Sequence, residues 1–157
     1  MKVQWLILFL YVTMAPSPAD PTAQPETSVS DAQVRARLAL AEVVVSGVVS
    51  AAAQVAPPRP PFISQHDPDW WRATIDVASV EKGRVASKTV TALFANSTDV
   101  AWFRSPKLHI GDHRVLLLQR ADPFGKPLQE LAVVDPLDVL PLTGLDRVRT
   151  LLKAEGR

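Results

Sequence analysis

Three histidines, His66, His109 and His113, are the side chains best suited to metal binding or to proton transfer near neutral pH. His109 and His113 are four apart, a spacing that on a helix places both on one face. Gly111 lies between them, and the surrounding residues predict a turn into a strand. A metal site would therefore have to gather His66, Asp67, His109 and His113 from two loops and activate a water for hydrolysis. A metal-independent hydrolase would need a nucleophile, a base and an orienting acid. The chain has no G-x-S-x-G nucleophile context and no Gly-rich phosphate loop. The expectation is a protein without catalytic residues or cofactor, with the loop-histidine hydrolase as the alternative.

The aromatics offer the other chemistry. Trp70, Trp102 and Phe103 flank the irregular parts of the chain. If the two tryptophans share a surface, with Phe103 beside them, they anchor a protein or glycan partner. The competing reading packs both tryptophans beneath loops. Trp71 belongs to the apolar face of its strand, so Trp70 points the other way, exposed or covered by a proline-rich loop. Asn96-Ser97-Thr98 matches a glycosylation sequon but is expected to be a turn built on Asn96 and Asp99.

The elements that must position these residues follow from periodicity. Ser30 or Asp31 caps a helix over DAQVRARLALAE, with Val34, Leu38 and Ala41 on its apolar face. VVVSGVV (43–49) is dense in β-branched residues and predicts a buried strand, with Gly47 marking a bulge or close backbone approach. Residues 56–69 hold five prolines and predict a long loop. From Trp71 the chain alternates: Trp71, Ala73, Ile75 and Val77 on one face, Arg72, Thr74 and Asp76 on the other. Glu81-Lys82-Gly83 turns into a strand over 88–95. HRVLLLQR and LQELAVVD are two more strands, separated by the turn ADPFGKP. Thr143 caps a final helix whose apolar face is Leu145, Val148, Leu151 and Leu152. Helix, about five strands, helix, without βαβ alternation, predicts a mainly β, α+β domain. The expected architecture is a small antiparallel OB-like barrel or curled sheet over residues 30–155, one helix before and one after.

Composition bounds the partners. With 157 residues and 47% hydrophobic content the chain can bury one core. Frequent Ala, Val, Arg and Pro point to a GC-rich bacterial source. MKVQWLILFLYVTMA has a signal-peptide layout: Lys2, then an apolar run from Val3 to Met14, then Ser17 and Ala19 at −3 and −1 of a cut before Asp20. Residues 1–19 are thus expected to be removed, leaving 20–29 as a flexible spacer. An uncleaved anchor is the alternative, although the run is shorter than a bilayer span of about 20 residues. Removing one lysine and no acids from 17 Lys+Arg and 16 Asp+Glu leaves 16 of each. A neutral mature chain argues against nucleic acid as partner. The absence of cysteine excludes disulfides, thiol catalysis, cysteine metal sites and lipid attachment.

The order of short motifs resembles the netrin-like modules, the OB-type barrel of the tissue inhibitors of metalloproteinases. The resemblance rests on Val45, Gly47 and Val49; on Val80, Lys82 and Gly83; and on Gly111 with Leu116, Leu117 and Leu118, across residues 38–120. It implies the fold. Those inhibitors chelate zinc through an N-terminal cysteine, which this chain lacks, so a secreted protease inhibitor is kept only as a third functional reading. The leading expectation is an exported, non-catalytic binding or structural module of the cell envelope or extracellular space.

Overall fold

The computed structural model describes residues 29–57, 66–122 and 126–155. The expected signal peptide (1–19) and residues 20–28 of the spacer lie outside them, as do the centre of the proline-rich loop and Pro123–Gly125. The fold is mainly β: 43% of the described residues are strand and 23% helical. The elements are α1 (Asp31–Leu40), β1 (Val43–Gln54), β2 (Trp70–Lys82), β3 (Thr89–Ala95), β4 (His113–Ala121), β5 (Pro127–Ala132), β6 (Val139–Pro141) and α2 (Leu145–Glu155). A 3-10 turn precedes β6 and another leads into α2.

The sheet order is β1-β2-β3-β5-β4-β6, and a further β1–β4 pairing closes five strands into a ring. One pairing departs from the antiparallel expectation: β3 meets β5 in parallel, at Leu93 and Ala132. That contact was not legible because a parallel neighbour requires a long crossover, which here is the whole of β4 and its approach. The short β6 was likewise not expected. It pairs with the start of β4 through Arg114, Val115 and Leu116.

Closing a short sheet into a ring demands strong curvature, and β1 supplies it. Its register shifts at Val44/Val45, Ser46/Gly47 and Val49/Ala51. Gly47 is required: a Cβ there would lie 2.3 Å from the Asp76 carbonyl oxygen of the neighbouring strand. Gly83 takes φ 79°, and a Cβ would meet the Glu42 carbonyl oxygen at 2.3 Å. Beside it Lys82 Nζ donates to the Leu38 carbonyl (2.6 Å), a cation at the C-terminal end of α1. The K-G pair thus joins the β2–β3 turn to the first helix.

The apolar runs VVV and VLLL have a common explanation. Val43, Val45, Leu116 and Leu118 face the barrel interior with Val49, Ala73, Ile75, Ala92 and Phe94. Val44, Val115 and Leu117 face outward and are covered by Val34 and Leu38 of α1 and Val148 and Leu151 of α2. A strand buried on both faces loses its alternation and becomes a continuous apolar run. α1 begins with a capping box: Ser30 Oγ accepts from the Gln33 amide (3.3 Å), and Gln33 Oε1 accepts from the Ser30 amide (2.9 Å). At the other helix, Thr143 sits inside the 3-10 turn Leu142–Gly144, whose N-cap position is Pro141 without a side-chain capping bond.

Candidate functional site

Strand directions assign the loops to ends. The finish of β1, the start of β2, the finish of β3 and the start of β4 lie together, since β1 is antiparallel to β2 and β4, and β2 to β3. His66 to Asp69 and the long 96–112 connection therefore meet at one end of the barrel, where Asn96 N donates to the Asp69 carbonyl (2.8 Å). All three histidines and Trp102 belong to this end.

The histidines do not converge. His66 Nδ1 contacts Asp99 Oδ2 at 2.9 Å, and His109 Nδ1 lies 3.6 Å from Asp112 Oδ2. His113 opens β4, with its Cα opposite Val48. Among the described residues no three His, Cys, Asp or Glu side chains stand where they could hold one metal ion. His66, Asp67, His109 and His113 are all described, and they do not form the ligand set of the alternative hydrolase reading. His66 is engaged by Asp99 across the two loops and His109 lies near Asp112, so the two rings face different carboxylates.

Of the two readings of the tryptophans, burial of both is the one that holds. Trp70 does point opposite Trp71, but it is only 8% exposed, packed on Leu93, Leu128 and Ala132. Trp102 is 7% exposed, and its Nε1 donates to the His66 carbonyl (2.6 Å). A paired Trp70–Trp102 surface does not exist. Alternation told which face Trp70 takes, while β5, more than fifty residues on, supplies what covers it. Trp71 packs half-buried on the interior, 6.4 Å from the Phe94 ring.

Phe103, by contrast, is exposed. The segment around it is an ordered turn over 100–104; of the expected pair only Asp99 makes local bonds, while the Asn96 amide donates to the distant Asp69 carbonyl. Asp99 Oδ1 accepts from the Ala101 amide (2.8 Å), Trp102 N donates to the Asp99 carbonyl (2.9 Å), and Ser105 N to the Trp102 carbonyl (2.9 Å). The Ala101 amide bond, followed by His66, holds the Asp99 carboxyl below the usual range for aspartate. Lys107 Nζ donates to the carbonyls of Ala95 (2.6 Å) and Trp102 (3.1 Å), and burial lowers its pKa. Trp102 is thus clamped inward from three sides. Residues three apart in such a turn share a side, so Val100 and Phe103 face away from Trp102 together.

Both are open to solvent, Val100 at 77% and Phe103 at 60% exposure, and Ile110 on the same connection is 68% exposed. Arg104 places its guanidinium carbon 5.6 Å from the Phe103 ring centroid. Sequence reasoning missed Val100 and Ile110 because a lone aliphatic in a polar stretch has no signal of its own. The remaining large exposed apolar side chains, Leu40, Val80 and Leu142, are not on this connection.

The outer face of β2 and β3 is different in kind. Its paired rows are Thr74 with Thr91 and Asp76 with Thr89, and Arg72 is neutralised by Glu130 through two bonds (2.7 and 2.8 Å). It presents hydroxyls, the exposed Asp76 carboxylate and one closed ion pair, with Trp70 buried.

No protein family matches the chain, and no curated protein is significantly similar to it. Among the described residues no helix is long and apolar enough to cross a membrane.

Proposed function

We propose that the chain is an exported, non-catalytic binding module with an OB-type, netrin-like barrel, which engages a protein partner through the 96–112 connection. The observation that carries this reading is the exposure of Val100, Phe103 and Ile110 on a connection whose own tryptophan is held inside. Leaving three large apolar side chains in water costs roughly 1.5–3 kcal/mol each relative to burial, and a braced turn cannot fold them away. A partner that covers them recovers that free energy. A protein surface fits better than a glycan, because sugars stack on broad aromatic faces and the two tryptophans that could offer them are interior. Barrel type is supported by the ring order and by the parallel meeting of β3 and β5. Export is supported by the charge and apolar pattern of residues 1–19.

The test is site-specific photo-crosslinking in the native host, with a benzoylphenylalanine placed at Phe103 or, for comparison, at Thr91 on the hydroxyl face. The proposal predicts a discrete protein adduct from position 103 and none from 91. Adducts from 91 alone would refute it.

A further inference from the structure

The ladder between β2 and its neighbours fixes where each backbone group points. Val77 N donates to the Lys88 carbonyl and Asn96 N to the Asp69 carbonyl (both 2.8 Å). The odd-numbered residues of β2 therefore turn their backbone groups to β3. Even-numbered ones turn to β1, as the bond from Val55 N to the Trp70 carbonyl (2.9 Å) requires. Given the pairing of Ala53 with Arg72 and of Ala51 with Thr74, Ala52 and Gln54 must direct their N–H and C=O groups to the opposite edge of β1.

That edge runs out of partners. β4 pairs with β1 only from Val43 to Val48. Val49 adds a bond to the Asp112 carbonyl (3.0 Å) and one from the Gly111 amide (2.8 Å), and there the chain of β4 turns away. Beyond it, among the described residues, nothing pairs with Ala52 or Gln54 on this side. Natural sheets usually blunt such an edge with charge, proline or a local cap. β3 has a cap: the Ser87 hydroxyl donates to the Thr89 carbonyl (2.6 Å) and accepts from its amide (3.3 Å). β1 has no such cap, and its bulge at Val49/Ala51 lies short of Ala52 and Gln54. It carries no charged residue and no proline from Val43 to Gln54.

We propose that this edge of β1 pairs antiparallel with the same edge of a second copy of the chain, about a two-fold axis at Ala53. In that register Ala52 of each copy bonds Gln54 of the other, about four backbone hydrogen bonds in all. Ala53 then faces its own counterpart as the central non-bonded pair, with Cα atoms about 4.5 Å apart. A self-complementary contact needs a residue that tolerates meeting itself, and an uncharged, exposed alanine does. The half-buried Ala52 side chain stays on the barrel interior, where it packs against the core. This proposal is independent of the binding reading, since Ala53 and the 96–112 connection are tested by different substitutions.

The experiment is sedimentation velocity on the mature chain across a range of concentrations, with Ala53→Asp, Ala53→Lys and their equimolar mixture, each checked for fold by circular dichroism. The wild type should show a concentration-dependent dimer. Each single variant should be monomeric, because like charges meet at the centre of the pair. The mixture should dimerise again as a heterodimer. A wild type that stays monomeric throughout would overturn the proposal, as would charged variants that dimerise like wild type or a mixture that does not re-associate. Ala52→Pro gives a second reading, since it removes only an outward amide and leaves the β2 ladder whole. If it folds and still dimerises, the register is wrong.

Discussion

The most constrained single residue is Asp138, in the 3-10 turn before β6. Its carboxylate receives Arg37 of α1 in two bonds of 2.8 Å and the amides of Val134 and Asp135 at 2.9 Å each. The residue is 1% exposed. Burial pushes its pKa up, while the two amides and Arg37 pull it down. Removing the carboxylate by Asp138→Ala would strand a mostly buried guanidinium and two amide hydrogens. We expect a loss of about 3–5 kcal/mol, read as a lower midpoint in urea unfolding at unchanged slope. A loss under about 1 kcal/mol would mean the pair does not tie α1 to the barrel. Nothing local announced this bond. Arg37 looked like an ordinary polar-face residue, and its partner lies 101 positions away.

Between elements, a polar chain runs from the barrel wall to α2. The Ser46 and Ser79 hydroxyls are 2.7 Å apart, Ser79 donates to Glu81, and Glu81 takes Arg149 in bonds of 2.9 and 3.0 Å. Arg149 holds the Glu81 carboxyl below the ordinary value for glutamate, about 4.3. Because the folded pKa lies below the unfolded one, this contribution is present above that ordinary value and is lost as pH falls through the folded pKa. With Arg149 partly exposed, its size is at most about 1 kcal/mol. Glu81→Gln should therefore be less stable than wild type near neutral pH, and the two should converge under acid, in denaturation series across pH. Parallel curves would rule the contribution out. The elements themselves were largely legible. Ser30, one of the two caps expected, starts α1, residues 71–77 alternate, and Gly47 sits where a bulge was expected. What was not legible depends on distant segments: the parallel contact of Leu93 with Ala132, the strand β6, and the burial of Trp70 beneath β5.

At the scale of the whole molecule, each side of the barrel has a distinct role. Both helices seal β1 and β4, β2 and β3 present threonines and a closed ion pair, and one end gathers the loops. The four histidine and aspartate positions first considered as metal ligands are spread across that end, and its tryptophan became the support of a turn. Among the described residues, that end exposes Val100, Phe103 and Ile110 beside the polar His66, His109 and Arg104. These three exposed apolar side chains are what the proposed binding reading rests on. The most direct measurement is a titration of the mature domain, wild type against Val100→Ser/Phe103→Ser/Ile110→Ser, into the protein identified by crosslinking from position 103, followed by calorimetry. The account predicts saturable binding by wild type, a negative heat-capacity change from apolar burial, and at least a tenfold loss of affinity, about 1.4 kcal/mol, in the folded triple variant. Equal affinity of the two proteins would contradict it.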